Sequence, residues 1–315
     1  MRSRLHTTTQ APELPNGGVP PDGRPRPVML LGARRCLPGG LLLALLSVSS
    51  AALAETYEAI DCPDSFYTEA RSINDRGDIV GICEDANGAH GFLLRRGVFT
   101  LIDHPDGVGP TAAFGINNRG DVAGRLVGAD TLHGYLLRRG RFTTIDPPDS
   151  TFTVARGIDD AGRIVGFYED LGVHGFLRDA HGYRALDFPG ADVTTAFGIS
   201  VTRIVGGYLD LDGVSHGFVL KRGAYTSIDV PGALHTRALG VNVQGDIVGG
   251  WNTSGCDDCF TRAFLLTRRG FEELEFPGAL ETVANGINAL GQVVGSYVAE
   301  DGSVHGFLRE PGDDN

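Results

Sequence analysis

The feature that most constrains the fold is a block of about 42 residues that occurs six times between residues 57 and 309. Each copy contains a Gly-Ile-Asn segment, an Ile-Val-Gly segment, a His-Gly-Phe segment and a segment ending in Ile-Asp, with some variation. Four short β-patterns in a repeat of this length are typical of a propeller blade. The sequence therefore predicts an all-β fold, a six-bladed β-propeller of four-stranded blades.

The repeats are out of phase with the ends of the chain. The first Ile-Asp segment, residues 57–61, precedes every Gly-Ile-Asn segment, whereas the last His-Gly-Phe segment, starting at His305, is followed by only a few residues. A linear solenoid would need polar capping repeats at both ends, which the sequence lacks. A ring instead closes when the first strand completes the last blade, which removes the exposed sheet edges. We therefore expect residues 57–61 to pair with the last blade.

The first strand of each copy combines constant and variable positions. The constant positions are Thr68, Thr111, Thr153, Thr194, Thr236 and Thr282, with Ala70, Ala113, Ala155, Ala196, Ala238 and Ala284. The residue after each Ala varies, as Arg71, Phe114, Arg156, Phe197, Leu239 and Asn285. Alternate residues of a strand share a face. We expect the constant small face to pack near a narrow axis and the variable positions to carry function.

Residues 1–54 are predicted to be an export signal with a disordered N-terminal extension. The arginine pair 34–35 precedes an apolar run at 40–47, which is too short to span a bilayer. Small residues then offer a cleavage site after Ala54, and Met29 is an alternative start of translation. We expect a secreted or periplasmic protein with no transmembrane segment in the mature chain.

The mature chain, residues 55–315, is expected to be one propeller domain of six repeats. The whole chain has a formal net charge of −12, and the first 54 residues contain six Arg and two acidic residues, which leaves −16 for the remainder. This charge argues against nucleic acid and anionic membranes as partners. A soluble monomer that binds an extracellular or envelope ligand, either a glycan or a protein, is expected.

Four cysteines follow the predicted cleavage site. An even number of cysteines in an oxidising compartment suggests disulfides. Cys62 and Cys83 fall in loops on the same face of a propeller and could therefore meet, while Cys256 and Cys259 would close a small separate loop. The sequence leaves the connectivity of the four cysteines open. A disulfide is preferred to a metal site for the second pair, because no other Cys pair at zinc spacing accompanies it. The sequence predicts no metal site and no cofactor.

Familiar catalytic motifs are absent from the sequence. The His of the His-Gly-Phe segment recurs in five copies, which indicates a structural hydrogen bond to the Asp that ends the fourth strand rather than a ligand. Functional candidates are therefore the non-repeating residues predicted to lie on the face that carries the inter-blade loops. The ligand-binding candidates are Tyr67, Arg71, His104, Arg156, His235, Trp251 and Glu281.

Three functions fit these candidates. Aromatic residues with a few charges suit stacking on sugar rings or gripping a peptide, which favours a binding module with its ligand near the axis. A second hypothesis is an extracellular hydrolase or lyase acting on polysaccharide, with Glu69, His235 and Glu281 as the first residues to test. A third is a structural envelope protein.

The repeat resembles the extracellular HAF repeats of bacterial proteins, in which a His-Ala-Phe motif alternates with an Ile-Asn-x-x-Gly-x-x-Val-Gly segment. The resemblance covers nearly all of residues 57–309. The middle residue here is usually Gly, the fifth copy reads Arg262-Ala263-Phe264, and the fourth copy lacks one residue and the turn Gly. The resemblance implies an exported bacterial protein with a propeller-like fold. The family has no established biochemical role, so the resemblance implies no site residue.

Overall fold

The computed structural model describes residues 55–255 and 260–312, and all regular elements in this part are β-strands. The described part of the chain contains no helix that could cross a membrane. The predicted export signal, its cleavage after Ala54, the alternative start at Met29, and the cysteines Cys256 and Cys259 lie outside the described residues. The first strand is β1 (Thr56–Ile60), and the other twenty-three follow the repeat.

Each repeat begins with an inner strand and continues outward. The inner strands are β2 (Tyr67–Ile73), β6 (Thr111–Ile116), β10 (Phe152–Ile158), β14 (Val193–Ile199), β18 (His235–Val241) and β22 (Glu281–Ile287). The second strands are β3 (Ile79–Asp85), β7 (Val122–Val127), β11 (Ile164–Glu169), β15 (Arg203–Leu209), β19 (Ile247–Asn252) and β23 (Val293–Val298). The third strands are β4 (Gly88–Arg95), β8 (Leu132–Arg138), β12 (Val173–Asp179), β16 (Ser215–Lys221), β20 (Arg262–Thr267) and β24 (Val304–Glu310). The outer strands are β5 (Val98–Ile102), β9 (Arg141–Thr144), β13 (Gly182–Leu186), β17 (Ala224–Ile228) and β21 (Gly270–Leu274).

The strands form an all-β, propeller-like arrangement. The second to fifth repeats each form a separate four-stranded antiparallel sheet. The remaining eight strands form one sheet, so the prediction of six separate sheets is met by four of them. The first and last repeats share a sheet because one parallel residue pair, Tyr67 with Val304, joins β2 to β24. The inner strands contact one another in the closed order β2, β6, β10, β14, β18, β22 and β2 again.

The N-terminal strand closes the arrangement, as the phase of the repeat predicts. Strand β1 pairs antiparallel with β24, with Tyr57 opposite Arg309. The pairing spans Thr56 to Ile60 rather than 57–61, and Asp61 follows the strand to contact His305, with 2.7 Å between the carboxylate and Nδ1. A bridge between Cys62 and Cys83 is also present, with a Cα–Cα distance of 6.2 Å. It ties the loop after β1 to the end of the second strand of the first repeat.

The Ile-Val-Gly and His-Gly-Phe segments recur because a glycine lies opposite an aromatic ring in every repeat. In the third repeat Gly166 faces Phe176, and a Cβ atom at 166 would lie 2.8 Å from the ring and 2.0 Å from the carbonyl oxygen of Val154. The same pairing is formed by Gly81 and Phe92, Gly124 and Tyr135, Gly206 and Phe218, Gly249 and Phe264, and Gly295 and Phe307. These aromatic side chains are fully buried. Each ring therefore covers a glycine and fills the core between successive sheets.

The constant small face of the inner strand packs against the preceding sheet. Ala155 is fully buried, and a Cβ atom placed on Gly134 would lie 3.4 Å from the Cβ atom of Ala155. Between the last and first repeats, a Cβ on Gly306 would lie 3.3 Å from the backbone nitrogen of Ala70. The expectation that this face lines the axis is therefore wrong. Small residues recur here because two sheets approach closely, and the variable residues line the axis instead.

The repeated Asn of the Gly-Ile-Asn segment joins neighbouring repeats. Asn74 Oδ1 accepts hydrogen bonds from the backbone of Arg76 and Asp78, at 2.9 and 3.0 Å, which fixes the turn. Its Nδ2 donates to the carbonyl oxygen of Asn117 at 3.1 Å. The equivalent bonds run from Asn117 to Asp159, from Asn242 to Asn288 and from Asn288 back to Asn74. This asparagine belt links the last repeat to the first at the turn end of the inner strands.

The repeated His ties the third strand to the end of the fourth, in agreement with the structural interpretation. The Nδ1–carboxylate pairs are His90 with Asp103, His133 with Asp146, His174 with Asp187, His216 with Asp229 and His305 with Asp61, at 2.7 to 2.9 Å. The hydrogen bond to Asp146 raises the pKa of His133. Burial lowers the pKa of His216, but hydrogen bonds to Asp229 and Asp210 outweigh it and the net shift is upward.

Candidate functional site

Every inner strand contains a β-bulge at its variable position. In β10 the register with β11 shifts between Ala155 and Gly157, so that Arg156 is the extra residue. The same shift occurs in the other inner strands, and the six bulge residues are Arg71, Phe114, Arg156, Phe197, Leu239 and Asn285. Bulges often re-aim a side chain. All six bulge residues line one cavity of about 100 Å³, hereafter the axial cavity.

Cations and aromatic rings alternate among the bulge residues. The guanidinium carbon of Arg156 lies 4.4 Å from the ring centre of Phe114 and 4.9 Å from that of Phe197. The guanidinium carbon of Arg71 lies 5.7 Å from the ring centre of Phe114. These distances are within the range of cation–π attraction. A continuous stack from Arg71 to Phe197 therefore spans the inner strands of the first four repeats.

A second row of side chains lies next to the bulge residues, nearer the inter-blade loops. On the inner strands this row contains Glu69, Ala112 and Arg237. Their partners on the adjacent second strands, which complete the row, are Ile82, Arg125 and Gly250, respectively. Glu69 forms an ion pair with Arg71. Arg237 Nε donates to the hydroxyl of Ser215 at 3.1 Å. The row thus adds two arginines and one carboxylate to the cluster.

Positive charge predominates in this cluster. Burial, followed by the charge of Arg71 and the charges of Arg237 and Arg125, lowers the pKa of Arg156 to about 9. Burial and then Arg71 also lower the pKa of Arg125. Part of the Arg156 side chain remains accessible, and an arginine with this pKa is still protonated at neutral pH. Arg71, Arg125 and Arg156 therefore share the site with a single described carboxylate, Glu69.

The structure brings three of the predicted ligand-binding residues together. Tyr67, Arg71 and Arg156 all belong to this cluster, and Glu69 connects the first two. Burial raises the pKa of Tyr67, and the charge of Glu69 and a hydrogen bond to it add to the shift. The phenol is therefore a hydrogen-bond donor at the rim of the cluster, where β2 begins.

Two of the predicted residues pack inside the scaffold. The side chain of His235 is buried, and its Nδ1 accepts a hydrogen bond from the backbone nitrogen of Ser215 at 3.0 Å. The ring of His104 lies edge-on to Phe142 with 4.4 Å between ring centres, and its Nδ1 accepts from the backbone of Asp106 at 3.1 Å. Burial lowers the pKa of His104. Neither residue lines the axial cavity.

The other two predicted residues lie in the fifth and sixth repeats, also outside the axial cavity. Trp251 lies beneath the guanidinium of Arg262, 5.2 Å from its carbon, as Tyr208 lies beneath His216 in the preceding repeat. The only tryptophan therefore occupies a position that three other repeats fill with tyrosine, as Tyr168, Tyr208 and Tyr297. Glu281 lines a separate cavity of about 220 Å³ together with Arg262.

A larger cavity lies where the repeat is interrupted. It has a volume of about 540 Å³ and is lined by residues of the third and fourth repeats, including Arg163, Arg184, Arg203 and Arg222. The fourth repeat has the shortened turn 200–203 on the same wall. Among the described residues, no group of three or more His, Cys, Asp or Glu side chains is arranged to hold a metal ion.

The chain matches no family model and no curated protein. Similar solved structures include a mutant of AofleA from Arthrobotrys oligospora, 13% identical, covering 81% of this chain and 86% of that one, with a TM-score of 0.51. A variant of the Aleuria aurantia lectin in complex with Fucα1-6GlcNAc is 12% identical, covering 78% of this chain and 93% of that one, with a TM-score of 0.50. The chain has a β-propeller fold. At these identities the likeness shows the fold alone.

Sequence reasoning missed Arg125 and Arg237. Arg237 belongs to an inner-strand row that is otherwise small or apolar in most repeats, with Ala112, Val154 and Val283 at equivalent positions. Arg125 lies on the second strand β7, opposite Ala112, where other repeats have Ile82, Phe167 and Gly250. A charged residue in such a row breaks the repeat. That departure was the signal available in the sequence, and aligning the repeats on the bulge reveals it.

Proposed function

We propose that this protein is an exported six-bladed β-propeller that binds a ligand near its axis, from the face that carries the inter-blade loops. The eight-stranded sheet would comprise two blades, since a single residue pair joins β2 to β24. The bridge between Cys62 and Cys83 is in keeping with an oxidising compartment and cleavage after Ala54. The spacing of the motifs supports membership of the HAF-repeat family.

The convergence of the variable residues carries the proposal. The repeat keeps its Thr, Ala, Gly and aromatic positions for packing, whereas the six bulge residues differ and line one cavity. When the core positions of a repeat are kept constant, residues at one variable position can change to suit a ligand without loss of stability. Arginines stacked on phenyl rings offer both polar donors and apolar surface, which suits a binding site.

The loop face is the proposed route of access. The asparagine belt lies at the other end of the inner strands, where it links four of the six pairs of neighbouring repeats, including the last and the first through Asn288 and Asn74. Tyr67 and Glu69 lie between the loops and the bulge residues on β2. A ligand that approaches from the loops would meet these side chains first and Arg71 and Arg156 below them.

A thermal-shift screen tests the proposal. The purified protein would be heated with neutral and charged saccharides and short peptides, because a ligand that binds only the folded state raises the melting temperature. Arg71→Ala should abolish the shift, whereas Arg141→Ala, at an exposed arginine outside both the axial cavity and the cavity of about 540 Å³, should retain it. A ligand whose shift is unchanged in Arg71→Ala would contradict this location. Turnover of the bound ligand would favour the hydrolase or lyase hypothesis.

A further inference from the structure

We infer that the axial arginines form a binding site for one small oxyanionic group, a carboxylate, phosphate or sulfate carried by the ligand. The inference rests on the proposed binding function and specifies its chemistry. The groups that define the site are Arg71 and Arg156, which line the axial cavity. Arg125 and Arg237 lie outside the cavity lining, in the row nearer the inter-blade loops.

The first argument is the imbalance of charge within the cluster. The carboxylate of Glu69 is engaged by Arg71. The side chains of Arg125 and Arg156 form no hydrogen bond or ion pair with any described residue, and Arg71 Nε is buried without a partner. Burying like charges together destabilises a fold unless an opposite charge compensates them. A bound anion would supply the missing negative charge.

The second argument is the orientation of Arg156. Its guanidinium carbon lies 4.4 Å from the ring centre of Phe114 and 4.9 Å from that of Phe197, so two phenyl rings contact the group. The N–H donors of a guanidinium lie in its plane and match the oxygen atoms of a carboxylate or phosphate. Contact with both rings restricts the motion of the guanidinium before a ligand binds, which lowers the entropic cost of binding an oxyanion.

The third argument is size. The axial cavity has a volume of about 100 Å³. Pockets for whole small-molecule ligands are usually about 300–1,000 Å³, and one water occupies about 30 Å³ of the liquid. The axial cavity is therefore suited to a single anionic group and excludes a whole sugar ring. The remainder of the ligand would stay on the loop side, beside Tyr67 and Glu69.

The fourth argument is contrast with the rest of the molecule. Residues 55–315 carry a net charge of −16, counted from the sequence. Such a surface repels polyanions, so a long nucleic acid or a heavily sulfated polymer would gain little from four local cations. A small ligand with one anionic group is disfavoured much less and can reach the arginines.

Isothermal titration calorimetry with sodium phosphate, glucuronate and glucose tests the inference at constant ionic strength. We expect saturable binding of phosphate or glucuronate, with a dissociation constant below about 1 mM, and weaker or undetectable binding of glucose. Arg156→Gln should weaken anion binding at least about tenfold, because a charge-assisted hydrogen bond is lost. Arg141→Gln, an equal change of charge at an exposed arginine outside both the axial cavity and the cavity of about 540 Å³, should leave it unchanged.

Folding and binding are separated by the melting temperature without anion. Arg156→Gln removes a positive charge that the neighbouring arginines repel, but also two cation–π contacts, so its melting temperature without anion reports the net change in stability. Arg125→Gln serves as a second variant if Arg156→Gln does not fold. Binding of phosphate alone would identify a tetrahedral anion, and binding of glucuronate alone a carboxylate. If neither anion binds, or if Arg141→Gln weakens binding as much as Arg156→Gln, the anion site is refuted. The broader proposal would survive that result if a neutral saccharide still raised the melting temperature and lost its effect in Arg71→Ala.

Discussion

Replacing Gly166 with Ala should destabilise the protein far more than the loss of a glycine ordinarily would. The added Cβ atom would lie 2.0 Å from the carbonyl oxygen of Val154 and 2.8 Å from the ring of Phe176, whereas ordinary contacts start near 3.4 Å. The atoms must therefore separate by roughly 1.4 Å. Val154 is paired with β11, and Phe176 is fully buried, so neither can yield freely.

The expected cost follows from that geometry. Overpacking a well-filled core usually costs about 1–3 kcal/mol, and displacing a strand also weakens ladder hydrogen bonds worth about 1 kcal/mol each. We expect Gly166→Ala to lower the free energy of unfolding by about 4 kcal/mol, a large part of the usual 5–15 kcal/mol. The phenyl ring cannot swing away because it fills the contact with the preceding sheet.

Urea unfolding followed by far-ultraviolet circular dichroism measures the effect. Gly255→Ala is the matched control, since a Cβ atom there meets nothing within 4 Å and the backbone has no positive φ. The control should differ from the parent by no more than about 0.5 kcal/mol. A loss below about 1 kcal/mol for Gly166→Ala would refute the view that the glycine is required by close approach of the strands.

Three further perturbations test the closure and the histidine pairs. Serine at Cys62 and Cys83 should cost about 3 kcal/mol in urea unfolding, because the bridge spans a sequence separation of 21, and a reductant should have the same effect on the parent. Asn288→Ala should cost about 1–3 kcal/mol, because the buried carbonyl oxygen of Asn74 keeps only the donor Gly77, and the backbone nitrogens of Leu290 and Gln292 lose the Asn288 side chain as acceptor. It should also speed amide exchange in β2; unchanged exchange would contradict this. His133 and His216 have raised pKa values in the folded state, so their stabilisation is complete below about pH 6.5 and is lost as the pH rises through the folded values. Melting temperatures from pH 6 to 8 should therefore decline by a step that is absent when both histidines are replaced by Asn; an equal decline in the variant would contradict this.

The architecture was largely predictable because its causes are periodic. The recurring glycines, aromatic residues and asparagines each satisfy one local requirement, and the phase of the repeat required β1 to complete the last sheet. The roles of the third-strand histidines followed from the same reasoning. The sharing of a sheet by the first and last repeats could not be foreseen, because it depends on the single pairing of Tyr67 with Val304.

The candidate site was predictable only in part. The sequence singled out Arg71 and Arg156, because they vary where the repeat is otherwise constant. It misjudged which residues face the axis, because strict alternation assumes a regular strand and the bulge inserts one residue. Trp251 and His235 were conspicuous by residue type, yet one replaces a structural tyrosine and the other hydrogen-bonds to the backbone of Ser215. Residue type alone therefore pointed to side chains whose contacts within the scaffold already explain their presence.

The pairing of β1 with β24 sets an order on the folding of the chain. Among the described strands, ribosomes make β1 first and β24 last, so the sheet they share cannot be completed until Glu310 has been synthesised. A polypeptide that stops short of β24 would leave β1 without its partner and expose a strand edge that can recruit another chain. The first strand is therefore paired only in chains that include β24. Chains truncated before β24 should aggregate or be degraded by proteases more readily than the full chain.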